Sequence, residues 1–160
     1  MNRSGTFVPL LTTLAAIVLT VVPMPDTVAV WRPHWVALVM IYWHLETGNL
    51  RSLGAAFAIG IVLDLTTGTL LGQHALGLVI INFLVGRFRN RLRFFPPWQQ
   101  ALAVGALLIN ERVVQLWTIG LLERGWPDWS WWLPPVTGML LWPWLFLLLD
   151  ALRSQRRFAR

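Results

Sequence analysis

GAAFAIGIVLDLTTGTLLG, residues 54–72, climbs as an apolar run from Gly54, meets a lone carboxylate at Asp64, breaks at Thr66-Thr67-Gly68 and resumes at once. An acid inside a hydrophobic segment costs about 2.5–3.5 kcal/mol at mid-membrane. Asp64 must therefore lie near a membrane surface, or face the protein interior with a partner. The flanking arginines decide how the stretch is folded. A single crossing between Arg51 and Arg87 would put them on opposite faces, whereas two crossings return both to one face. Two short helices joined at Thr66-Thr67-Gly68 fit the length and the break, which predicts a helical hairpin from residues 53–65 and 69–86.

Composition supports a membrane setting. Of 160 residues, 56% are hydrophobic and 12% charged, with mean hydropathy +0.60; soluble domains carry about 25% charged residues. The absence of cysteine excludes disulfides, thiol catalysis and cysteine metal sites. All 13 basic residues are arginine, against seven acids, for a net charge of +6. These charges fall between hydrophobic runs and form no soluble basic face. Anionic lipid is thus the expected partner rather than nucleic acid. Eleven tryptophans fit an interfacial aromatic belt.

Outward from the hairpin, residues 7–22 form a first apolar helix closed by Pro23 and Pro25. A secretory signal with cleavage near Ala29 is the other reading of this run. The second helix, residues 33–45, spans about 20 Å at about 1.5 Å per residue. That is short against a hydrocarbon core of about 30 Å, so this segment is a short span or re-entrant. A fifth helix covers 101–122 and a sixth 133–149, with Pro134 and Pro135 in its first turn and Pro143 as a kink. Residues 153–160 read as a basic tail. With six crossings and an inner N-terminus, ten arginines lie inside and two, Arg32 and Arg124, outside. This is a strong positive-inside bias, and it predicts a single multi-pass domain with both termini cytoplasmic.

Asp64 falls about 19 Å up the third helix, and Glu111 and Arg112 about 20–21 Å up the fifth. With Asn110 and His74 they make a candidate intramembrane polar cluster. Sequence neighbours do not share a helix face, so Glu111 and Arg112 need separate partners. A buried Asp64–Arg112 pair, a wet outer interface, and a role in binding a ligand or partner all remain open. Gly68 and Gly72 are spaced as a small-xxx-small pair, which suits close helix packing or a dimer seam. Arg87, Arg89, Arg91 and Arg93 would splay on a helix and align on an extended segment. With Arg153, Arg156 and Arg157 they make a candidate cytoplasmic basic surface for anionic lipid or a docking protein. The histidines at 34, 44 and 74 lack metal-ligand spacing, and no nucleophile-elbow or phosphate-loop motif is present. Neither catalysis nor a cofactor is indicated.

Taken in order, Pro23-Met24-Pro25-Asp26, Trp31-Arg32-Pro33-His34-Trp35, the stretch Leu63 to Gly72, Trp98-Gln99-Gln100-Ala101-Leu102 and Leu141-Trp142-Pro143-Trp144 form a specific pattern. The chain resembles the rod-shape-determining MreD family of Gram-negative bacteria along almost its whole length. That resemblance implies an all-α polytopic membrane protein of six transmembrane helices, similar in fold to the substrate-binding subunit of energy-coupling-factor transporters. It further implies a non-enzymatic inner-membrane component of the elongation complex. Such a component sits beside MreC and helps couple the MreB filament to RodA and its penicillin-binding transpeptidase, and so to peptidoglycan synthesis. A vitamin-binding subunit of a membrane transporter is the alternative. The Asn110-Glu111-Arg112 cluster has no counterpart in the family pattern.

Overall fold

The computed structural model describes residues 3–48, 52–121 and 127–158. Among these the chain is all helical: α1 (Arg3–Val21), a single turn α2 (Asp26–Ala29), α3 (Trp35–Thr47), α4 (Ser52–Thr67), α5 (Gln73–Leu92), α6 (Pro97–Leu121), a 3-10 turn (Trp129–Trp132) and α7 (Leu133–Phe158). This is the architecture of a helical membrane protein. The stretch Trp129–Ser154 is long and apolar enough to cross a bilayer by itself; Val8–Val21 and Leu53–Thr67 are shorter apolar helices.

Helix ends differ from the sequence reading where local chemistry overrides hydropathy. α5 begins at Gln73 rather than 69, because Gly68 and Gly72 both take left-handed backbone (φ 67° and 99°) and hold the connection between them out of the helix. It ends at Leu92 rather than 86. Arginine is a good helix former, and Arg89 and Arg91 in the last turn complement the helix dipole. Pro97 opens α6 four residues early, at a position where its missing N–H costs nothing. Pro143 lies inside α7 without ending it. No glycine or proline follows to stop the helix, so residues 153–158 are helix rather than a separate tail.

α3 organises the packing. It is apolar all round, and such a helix is stable only when enclosed. Val36 to Tyr42, His44 and Leu45 are all buried, against α1, α5, α6 and α7. The expected short span is therefore the central strut, with Tyr42 fully buried in its core. Tyr42 packs edge-on to Trp43 and Phe146 at 5.2 and 5.4 Å. Beside it Trp142, fully buried, donates its indole N–H to Gln100 Oε1 at 3.1 Å.

Polarity is turned inside out relative to a water-soluble fold. Leu10, Leu14, Phe57, Leu65, Ile109, Leu140 and Leu147 are exposed, whereas His44, Asp64, His74, Asn82, Gln100, Glu111 and Gln115 are buried. A monomer in water rarely shows so much contiguous apolar surface. Ionisable groups turned to a bundle interior are the rule in lipid. Two polar layers result, one around Asp64 and Glu111 and one around Glu46, with Leu38, Ile41, Leu78, Ile81 and Leu108 packed between them.

Glycine has two distinct uses here. A Cβ at Gly60 would fall on the backbone of Ala75, so this residue sets the closest approach of α4 and α5. A Cβ at Gly77 would meet Glu111 Cγ at 2.8 Å. Gly68 and Gly72 have open space around them, so they make no close packing contact within the chain. Their role is backbone conformation.

Candidate functional site

Asp64 sits in the last turn of α4, where Thr69 N–H closes on its carbonyl at 3.2 Å and Gly68 supplies the left-handed residue that this cap needs. Its side chain then reaches across the turn. Oδ2 accepts from Gly72 N–H at 2.8 Å and Oδ1 from His74 N–H at 2.9 Å. Thr69 Oγ donates to Oδ1 at 3.0 Å, and His74 Nδ1 lies 2.9 Å from it. Gly72 is the N-cap of α5 and has no side chain to cap with. Asp64 performs that task from the neighbouring helix, where the α5 macrodipole also favours an anion.

The carboxylate is 1% exposed, so it is not wet, and its partners are the α5 N-terminus, Thr69 and His74. The Asp64–Arg112 pair is not formed. Glu111 lies instead against His34 Nδ1 at 3.3 Å, with Gln115 Nε2 at 3.5 Å. Arg112 turns the other way, bonding Gln115 Oε1 at 3.1 Å and stacking over Trp131 at 4.5 Å. Glu111 and Arg112 thus face His34 and Trp131 respectively but share Gln115, whose amide donates to one and accepts from the other. His34 and His74 face each other with ring centroids 6.3 Å apart, so the Asp64–His74 and His34–Glu111 pairs form one outer polar layer.

Arg32, His34, His74, Glu111 and Arg112 line one cavity of about 150 Å³. Glu111 Oε2, Arg32 Nε and Arg112 Nε are buried there without a protein partner. A cavity of this size holds a few waters or a benzene-sized molecule. Arg112 also borders an outer cleft of about 470 Å³ with Asp128, Ser130 and Trp131. Asn110 does not join the cluster. It lines a groove between α5 and α6 with Phe88 and Arg91.

The inner layer repeats the capping theme with opposite charge. Arg89 donates to the carbonyls of Leu45 (2.8 Å) and Glu46 (3.1 Å) at the end of α3, where Gly48 is left-handed at φ 61°. Glu46 is further held by Arg153, with Arg93 at 3.9 Å. At the other end of the bundle Arg32 bonds the carbonyls of Thr20 and Val22, closing α1. The candidate basic surface is thus divided. Arg89, Arg93 and Arg153 turn inward to structural partners. Arg87 and Arg91 have none among the described residues, and the side chains of Arg156 and Arg157 lie outside what the structure describes.

Sequence reasoning missed His34, Thr69, Gln115, Trp131 and Glu46. Gly72 before His74 was the available signal for a borrowed N-cap. Nothing local marks His34 as the partner of Glu111, because the two are distant in sequence.

An all-helical bundle with an apolar exterior and a charged, internally capped interior defines a membrane-type helical protein. Comparison with known proteins narrows this class. The family model for rod shape-determining protein MreD matches residues 1–152. The chain is 32% identical over 140 residues to the rod shape-determining protein MreD of Haemophilus influenzae, covering 88% of this chain and 86% of that protein. No solved structure matches significantly. The chain belongs to the MreD family of rod shape-determining proteins.

Proposed function

We propose that the chain is a non-enzymatic scaffold of the elongation complex in the bacterial inner membrane. In this reading it crosses six times through α1, α3, α4, α5, α6 and α7, with both termini cytoplasmic. It binds MreC and helps couple the MreB filament to RodA and its penicillin-binding transpeptidase. The observation that carries this reading is the family match over residues 1–152. Asp64 is engaged as a cap and Glu111 with His34, so both of these buried acids are used within the bundle. Trp31, Trp117 and Trp129, all exposed, lie near the ends of α2 and α6 and before α7, at the level expected of an outer aromatic belt.

The transporter-subunit reading needs a vitamin-sized pocket. The cavity at Glu111, about 150 Å³, is too small for one, whereas the outer cleft of about 470 Å³ beside Arg112 has the size. The resemblance to the energy-coupling-factor fold is an analogy of architecture.

Crosslinking under gentle extraction separates the two. The scaffold is expected to co-purify with a single-span MreC-like partner, and shortening the 123–132 loop is expected to weaken that recovery several-fold. Co-purification with an ATPase module in place of the elongation proteins would contradict the proposal. Unchanged recovery after shortening would remove the loop from the contact surface.

A further inference from the structure

The cytoplasmic end of the α4–α5 pair holds a cavity of about 390 Å³ that the scaffold reading does not use. Its walls divide by chemistry. Leu53 and Phe83 form an apolar side, while Asn82, Asn90, Arg87 and Arg89 form a polar one, and no acid lines it. Arg89 is positioned by its bonds to the end of α3 and keeps one guanidinium nitrogen beyond them. Arg87 is exposed and has no ion-pair or hydrogen-bond partner among the described residues. The nearby Glu46 does not neutralise this pair, because it is occupied by Arg153 and Arg93.

We propose that this cavity is a discrete site for an anionic glycerophospholipid of the inner leaflet. The phosphate sits between Arg87 and Arg89, and an acyl chain lies against Leu53 and Phe83. Charge complementarity and the polar-to-apolar gradient of the walls select this occupant over an apolar partner helix, which would leave the guanidinium groups without counter-charge. Arg91 is an internal contrast. Like Arg87 it has no partner among the described residues, yet it borders the separate groove between α5 and α6. A diffuse attraction to lipid would use Arg87 and Arg91 alike, whereas a built site uses Arg87.

The inference rests on the membrane reading above and fails separately from it. Purified full-length protein in detergent micelles is titrated with phosphatidylglycerol or phosphatidylcholine and observed by native mass spectrometry. Phosphatidylglycerol adducts are expected to exceed phosphatidylcholine adducts, and to fall about fivefold in Arg87→Gln, the factor one arginine near an anionic surface contributes. Arg91→Gln should retain them. Leu53→Trp, which fills the apolar side without altering charge, should lower them as well. Equal loss in Arg91→Gln, equal binding of both lipids, or retention in Leu53→Trp would each overturn the site. Inorganic phosphate that abolishes the adducts at equimolar concentration would reassign it to free phosphate. A protein that stays monodisperse without detergent would instead remove the membrane reading itself.

Discussion

Asp64→Ala is expected to lower the stability of the detergent-solubilised protein by about 3–5 kcal/mol, the usual cost of removing one partner from a buried charged network. The carboxylate receives two backbone N–H groups of the α5 N-terminus, the Thr69 hydroxyl and His74. Alanine leaves the N–H groups of Gly72 and the buried His74 without this acceptor, while Thr69 keeps its contacts with Thr67 and His74. The first turn of α5 and the end of α4 then lose their connection together. Asp64→Asn keeps the shape and one acceptor but points an amide at donors, and should cost about 1–3 kcal/mol. Equilibrium unfolding in mixed micelles measures both. A loss below about 0.5 kcal/mol for alanine would mean that the turn is held by something other than this cap.

Gly60→Leu should be at least as damaging. The position on α4 faces the backbone of Ala75 on α5 so closely that even a methyl group overlaps it, and backbone cannot move aside as a flexible side chain would. Inserting a large side chain into a tight contact costs about 1–3 kcal/mol where the neighbours yield, and more where they do not. The expected outcome is a separated hairpin, seen as a loss of the monodisperse peak on size exclusion and a fall in purified yield. Gly54→Leu, with open space around its Cβ, is the matched control and should behave as wild type. Equal behaviour of the two variants would show that α4 and α5 do not approach closely at Gly60.

These two residues show what was legible in the chain. The interruption at Thr66-Thr67-Gly68 and the paired arginine flanks announce a hairpin, and the structure places α4 and α5 there. His74 was legible as a neighbour of the acid, but the backbone partners were not. The acceptor role of Asp64 depends on the N–H groups of Gly72 and His74, and every residue but proline has one whatever its side chain. Arg112 is the only cation that sequence depth brings level with Asp64, yet it points towards Trp131, because a helix face is fixed by packing rather than by depth. The arginine run shows a similar limit. Alternation in sequence reads as a single charged surface, but α5 continues through it and turns Arg89 inward to cap α3 while Arg87 and Arg91 stay outside.

A common physical demand links the buried charges. Helix ends carry backbone groups that their own helix does not satisfy, and at membrane depth water cannot satisfy them. Arg32 at the end of α1, Arg89 at the end of α3 and Asp64 at the start of α5 each answer that demand with the sign the helix dipole favours. Cations meet carbonyl ends and the anion meets an N–H end. Charges that look costly in an apolar sequence are therefore parts of the fold, while Glu111 Oε2 keeps an unmet acceptor at the small outer cavity.

The chain contains no cysteine, so single cysteines report without background. Leu70→Cys at the tip of the α4–α5 hairpin and Phe94→Cys beyond α5 are both exposed positions. With a membrane-impermeant maleimide added to spheroplasts, the hairpin reading predicts that Cys at 70 labels at once and Cys at 94 labels only after permeabilisation. Labelling of both positions from outside, or of neither, would contradict a hairpin with both ends in the cytoplasm.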